Sequence, residues 1–271
     1  MCFYNSMSKR ALDAAKRYGR QVDLVEAARQ IIEEQKRNGT SSSGIMEGCY
    51  VINAFPQKVS DKKYEYKKCI IVTNDEQLHV MEWGMIPDWI EIKSSSAEDI
   101  RTAFTLAHEW RQKTINARSE TLFDKKTFSN PILSRRCIIP STGYFEFHHN
   151  PDKSKTPFYI YLKNEEIFSI AGLWNKWIHP VTNKEIDTFS LITTEANPLS
   201  ASIHNGGNNA GRMPLILSKE DEEKWLDPSL DRQEIKSLIK PPSDNNMDAY
   251  KVTPNFRFID PHNPDIIEKV A

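Results

Sequence analysis

With 271 residues, 39% apolar and 27% charged, the chain can bury a sizeable core, which excludes a disordered or fibrous polymer. No apolar run approaches the ~20 residues of a membrane helix, and the N-terminal stretch lacks a signal-peptide pattern, so the expectation is a cytoplasmic protein with no membrane partner. Net charge is −1, which excludes a uniformly basic nucleic-acid binder; eight Lys/Arg against three Asp/Glu from Arg101 to Pro140, and five against nine from Ser218 to Asp248, permit either one basic face or two ordinary solvated ones.

The chain opens Met1-Cys2. Once Met1 is removed, Cys2 carries an α-amine and a thiol on adjacent carbons, with pKa values near ~8 and ~8.5. Such an aminothiol can condense with an aldehyde and close a five-membered ring, although a cysteine can also stand second by accident. Residues 7–38 have apolar positions at helical spacing, with Gly19 as a weak point, and predict one long helix ending in the Ser-rich loop near 40.

Gly48–Ala54 reads as a short strand. Lys68–Thr73 and Leu78–Trp83 predict a hairpin turning at 74–76, and residues 97–112 predict a helix. Cys137–Pro140 and Gly143–Phe147 read as strands. Phe158–Leu162 and Ile167–Ala171 predict a second hairpin, and Phe189–Thr194 a further strand. Ile203-His204-Asn205 leads into the loop 206–211, and Arg212–Leu217 returns to strand. Two short helices follow near 219–226 and 231–240.

Strands outnumber helices and no regular βαβ alternation occurs. The predicted fold class is therefore α+β: one compact β-rich domain over 1–271, mainly antiparallel sheet or barrel, with peripheral helices. The four cysteines, Cys2, Cys49, Cys69 and Cys137, contain no C-x-x-C pair, so neither a zinc ribbon nor a redox motif is indicated. Cys69 and Cys137 read as core thiols. No metal and no cofactor is expected. His148-His149 read as a surface turn.

Four residues carry the remaining chemistry. Glu146 lies among aromatics: either a desolvated carboxyl able to work as acid or base near neutrality, or an exposed strand Glu. His204 beside a Gly-rich loop could exchange protons or simply bond a carbonyl. Asn116 and Arg118 share a strand face; an amide can orient an amine, and a guanidinium can fork onto phosphate, but Arg118 could instead pair with Glu120.

Together these stretches carry a resemblance. Met1-Cys2, Trp83-Gly84-Met85-Ile86-Pro87, Asn116-Ala117-Arg118-Ser119-Glu120, Arg136–Pro140, Gly143-Tyr144-Phe145-Glu146-Phe147, Ala171–Trp174, Ile192–Asn197 and Ile203-His204-Asn205 with Arg212-Met213-Pro214 come in the order seen in one family. The chain resembles the SOS-response-associated peptidase (SRAP) family, most strongly over 1–226, with 227–271 as a C-terminal extension.

The resemblance implies a sensor of abasic sites in single-stranded DNA, monomeric and nucleoid-associated when at work, with a basic DNA-binding groove. Cys2 would form a thiazolidine with the opened sugar. Asn116 would hold the reactive terminus, Glu146 would act as acid/base, and His204 would assist ring opening. Arg118 and Arg212 would contact phosphates, and Phe147 would stack on a base. The family name adds an autoproteolytic removal of Met1. The chain departs in Phe3-Tyr4, where members often have Gly-Arg, and in the inserted loop 206–211. Two other functions stay open: an N-terminal-nucleophile cysteine peptidase, and a non-catalytic single-strand-binding module.

Overall fold

The computed structural model describes residues 2–23, 48–60, 63–91 and 96–270. Its strands are β1 (Tyr4–Met7), β2 (Cys49–Asn53), β3 (Gln57–Ser60), β4 (Lys63–Glu65), β5 (Lys68–Val72), β6 (Leu78–Trp83), β7 (Asn116–Arg118), β8 (Arg136–Ser141), β9 (Gly143–His149), β10 (Lys155–Leu162), β11 (Phe168–Ile178), β12 (Glu185–Glu195), β13 (Arg212–Pro214), β14 (Ile216–Leu217) and β15 (Met247–Lys251).

Two large sheets organise most of them, and β3 and β4 pair as a separate hairpin. β12, β6, β5, β8 and β11 pair in that order, and β11 pairs back onto β12, closing a five-stranded barrel. Only the β12–β6 seam of that ring is parallel. A second, open sheet runs β15-β10-β9-β1-β2, so the N-terminal strand lies between two neighbours. The α+β expectation holds.

The strands of β8 and the first half of β11 are buried on both faces, as a closed barrel requires when its outside is also covered. Part of that cover is the helix Lys219–Leu226. Its fully buried Trp225 donates from Nε1 to the Cys137 carbonyl at 2.9 Å, while the Arg136 guanidinium gathers the carbonyls of Trp225, Asp227, Ile132 and Leu133. Cys69 and Cys137 are core thiols, as read from the sequence.

The first hairpin forms as β5 and β6, and the helix over 97–112 is observed as Ala97–Lys113, capped by Ser96. The helix expected over 7–38 is different. Met7 ends β1, and the helix spans only Ala11–Tyr18, because Gly19 takes φ +60° and closes its C-terminus. Gln21 then bridges to Gln77. Residues 24–38 of that expectation lie outside the described residues.

The hairpin expected from 158–162 and 167–171 does not form. β10 pairs with β9 and β15 in the open sheet, whereas β11 enters the barrel, so the short connection passes between sheets. His148 and His149 belong to β9 rather than to a turn. The strand expected over 212–217 is split: β13 joins β12, β14 joins β11, and Leu215 between them bonds both.

Candidate functional site

The site begins at the start of β1. Cys2 is fully buried, and its Sγ lies 3.6 Å from the Tyr4 carbonyl. Burial pushes the thiol pKa up strongly, and the nearby Glu146 carboxylate adds to the rise. The thiol is therefore protonated at neutral pH and needs a base to become a nucleophile.

Asn116 is carried to Cys2 by a rigid corner. Helix Ala97–Lys113 stops at Thr114, whose hydroxyl bonds the Met85 carbonyl at 2.6 Å. The Ile115 carbonyl then accepts from Trp83 Nε1 at 2.9 Å, and β7 runs parallel to β12 with Asn116 opposite Leu191. From there Asn116 Nδ2 donates to the Cys2 carbonyl at 3.0 Å. Its Oδ1 is buried without a hydrogen-bond partner among the described residues.

Glu146 comes from the adjacent strand. β9 pairs with β1 through Asn5–Tyr144 and with β10 through Phe158–Glu146. Strand alternation sets Tyr144 and Glu146 on the face toward Cys2, and Phe145 and Phe147 on the other. Glu146 is 5% exposed, which settles the sequence-level choice in favour of a desolvated carboxyl. Burial raises its pKa to about 8, although the charge of the amino terminus and the Phe147 N–H oppose the rise. Among the described residues its Oε1 has no hydrogen-bond partner.

His204 caps the short helix Pro198–Ile203, not a strand end. Its Nδ1 lies 3.0 Å from the Arg212 carbonyl, which assigns the proton to Nδ1 and leaves the Nε2 lone pair free. That Nε2 faces Glu146 Oε2 at 3.9 Å. The separation would suit an ion pair, yet burial raises the pKa of the acid and lowers that of the imidazole, so near neutrality both sit largely uncharged.

Tyr144 joins this group, and the sequence reading assigned it no role. Its buried hydroxyl is 3.1 Å from Ser200 Oγ, one helical turn before His204. Burial raises its pKa beyond reach, and the charges of Cys2 and Glu146 add to the rise. The signal available in sequence was the two-residue step from Glu146, which sets both on one strand face.

The three remaining candidates are placed differently. Arg118 is exposed, and its Nη2 donates to Asn209 Oδ1 at 2.6 Å. Arg212, not Arg118, forks onto Glu120, at 2.6 and 3.0 Å, and also donates to the Thr193 carbonyl at 2.7 Å. Burial would raise the Glu120 carboxyl, but this fork outweighs it and holds the pKa low. Phe147 is on the face away from Glu146, half-buried against Phe256, with the Arg257 guanidinium 5.5 Å from its ring centre.

The inserted loop acquires a structural reason. Asn205 accepts from the His149 N–H at 2.8 Å and donates to the His149 carbonyl at 3.2 Å, which ties the end of β9 to the helix bearing His204. A Cβ on Gly206 would lie 2.5 Å from the His149 ring, so only glycine permits that approach. Asn209, farther along, holds Arg118. Among the described residues no group of His, Cys, Asp and Glu could hold a metal ion.

Comparison with known proteins places this arrangement in context. Residues 6–257 match the family model described as SOS response associated peptidase (SRAP). The chain is 35% identical over 196 residues to abasic site processing protein YoqW of Bacillus subtilis, covering 72% of this chain and 78% of that protein. It is 26% identical over 190 residues to abasic site processing protein HMCES of Gallus gallus, covering 62% of this chain and 51% of that one. A crystal structure of a protein from Bacteroides thetaiotaomicron superposes over the full length of both chains, with a TM-score of 0.80 and 41% identity. One from Bordetella bronchiseptica shares the fold at a TM-score of 0.66 and 18% identity, covering 93% of this chain and all of that one.

Proposed function

This chain belongs to the SOS response associated peptidase family, and from that premise we propose that it processes abasic sites in DNA by joining Cys2 covalently to the opened sugar of a single strand. The observation that carries the reading is convergence. Asn116 bonds the Cys2 carbonyl, and a buried acid and imidazole stand 3.9 Å apart on the same side, drawn from stretches far apart in sequence.

The chemistry follows from the protonation states. With Met1 gone, the neutral Cys2 amine adds to the C1′ aldehyde to form a carbinolamine. Protonated Glu146 gives its proton to the departing hydroxyl, so water leaves and a protonated imine (iminium) forms. Glu146, now a carboxylate, takes the proton of the Cys2 thiol as the sulfur adds to the iminium carbon, whose nitrogen keeps its own proton. Aldehyde and aminothiol become thiazolidine and water, and Glu146 ends as it began. His204, with its free Nε2 lone pair, accepts and returns the proton of the sugar hydroxyl during ring opening. Asn116 holds the terminus in place by its carbonyl, and Arg118 exchanges Asn209 for a phosphate. Arg212 is a weaker phosphate ligand, because Glu120 already balances its charge.

Removal of Met1 belongs to the same reading. Cys2 is fully buried, and in this reading Met1 leaves either before folding or through the site's own residues, an autopeptidase step. The family's relatives named for abasic-site processing support DNA as the partner. No helix among the described residues is long and apolar enough to cross a membrane.

The test mixes protein of verified N-terminal mass with an abasic-site oligonucleotide on a denaturing gel. A shifted band is expected with the native chain and none with Cys2→Ala. A chain proven to start at Cys2 that gives no band would sink the reading.

A further inference from the structure

We propose that Arg257 and Phe258 form a stacking subsite for the nucleobase next to the abasic nucleotide. The inference rests on the reading that a single strand of DNA reaches Cys2, and it adds a contact from the far C-terminal end of the chain.

The geometry starts at Phe256. Its ring is fully buried and stacks on Phe145 at 4.6 Å with the planes 6° apart, while Tyr4 meets it edge-on at 5.4 Å. The 3-10 turn Phe256–Phe258 is thereby pinned to β1, which follows Cys2, and to β9, which carries Glu146. β1 and β9 pair through Asn5 and Tyr144, and Phe145 and Phe147 share the face of β9 that Phe256 covers. Arg257 lies over Phe147 at 5.5 Å and beside Phe258 at 5.7 Å.

Two features of this turn are not needed by the fold. Phe258 is 81% exposed, more than any other large apolar side chain described. Among the described residues no carboxylate pairs with the exposed Arg257, whereas Arg17, Arg111 and Arg212 are each bonded to a glutamate. A bare aromatic face beside an uncompensated planar cation matches one chemistry: a flat base on a polyanionic strand, which stacks on the ring while the guanidinium meets the phosphate or stacks in turn. An acidic peptide would use the cation but leave the ring in water.

The assignment also changes the role of Phe147. Its ring is partly covered by Arg257, so it supports the stacking surface from beneath instead of meeting the base itself.

The test uses a single-stranded oligonucleotide with a tetrahydrofuran abasic analogue, which binds but cannot form the crosslink, and 2-aminopurine placed on one side or the other. Binding should change the 2-aminopurine fluorescence on one side only. Phe258→Ala and Arg257→Ala should each weaken binding about tenfold and Phe258→Ala should abolish the fluorescence change, with melting temperature unchanged because both positions are exposed. Phe258→Trp should restore both. Unaltered affinity and fluorescence in Phe258→Ala would overturn the subsite. If the analogue binds in a Phe258-dependent way but natural abasic DNA gives no Cys2 band, the crosslinking reading falls and the subsite stands; the opposite pattern removes the subsite alone.

Discussion

Glu146 is the residue on whose environment the proposed chemistry rests, because burial holds as a neutral acid a group that would be ionised in water. Replacing it with Gln keeps the shape and removes the proton, so crosslinking should slow by roughly 10²–10⁴-fold. The same substitution has a signature in stability. The folded pKa of about 8 lies above the ordinary 4.5, so the native chain binds more protons between those values. Stability from this group is full below about 4.5 and is lost as pH rises through about 8. Glu146→Gln escapes that loss and should gain on the native chain by a few kcal/mol at most between pH 5 and pH 9, read from thermal melts. Equal differences at both pH values would mean that the carboxyl is not held neutral. Much of this was legible in sequence: aromatics around one carboxylate suggested desolvation. The partner geometry was not, because strand spacing says that Tyr144 and Glu146 share a face but not which element covers it.

At the level of elements, the site depends on how closely β9 and β10 approach. Tyr159 lies over Gly143 and bonds the Thr142 carbonyl at 2.9 Å, and a Cβ at Gly143 would come within 2.2 Å of its ring. Gly143→Ala should therefore force β9 or the ring aside and cost about 1–3 kcal/mol in chemical unfolding, with crosslinking reduced because Glu146 shares that strand. A cost near zero would show that the pair relaxes freely. The elements legible in sequence were those with local rules, such as the β5–β6 hairpin and the helix Ala97–Lys113. The Phe158–Ala171 hairpin was misread because period-two patterning identifies strands without their partners, and β10 takes its partners from residues 143–149 and 247–251. The overlong first helix failed on Gly19, whose left-handed cap the apolar spacing does not register.

Across the whole molecule, the apolar interior of the described residues divides into three clusters. The largest fills and surrounds the barrel; a second, around Tyr4, Phe145, Tyr159 and Phe256, lies under the C-terminal segment; the smallest gathers Ile86, Ile90, Ala107 and Trp177. The C-terminal segment is thus structural cover for the outer face of β1, the strand that follows Cys2. Phe256→Ala should cost about 3–5 kcal/mol, measured by urea unfolding, and should loosen the terminus as well. A loss below 1 kcal/mol would mean that the second core contributes little to holding the sheet together.

The position of β1 between β2 and β9 has a consequence in time. With synthesis starting at Met1, as the proposed reading requires, Cys2 emerges early, but β9 ends at His149, so β1 cannot be flanked on both sides until more than half of the chain has been made. At ~5–20 residues per second, the terminus stays open on the order of ten seconds during each synthesis. An aminopeptidase working on nascent chains has that interval to expose the Cys2 amine. In the proposed reading, chains it misses keep the Cys2 amine blocked until the autopeptidase step removes Met1.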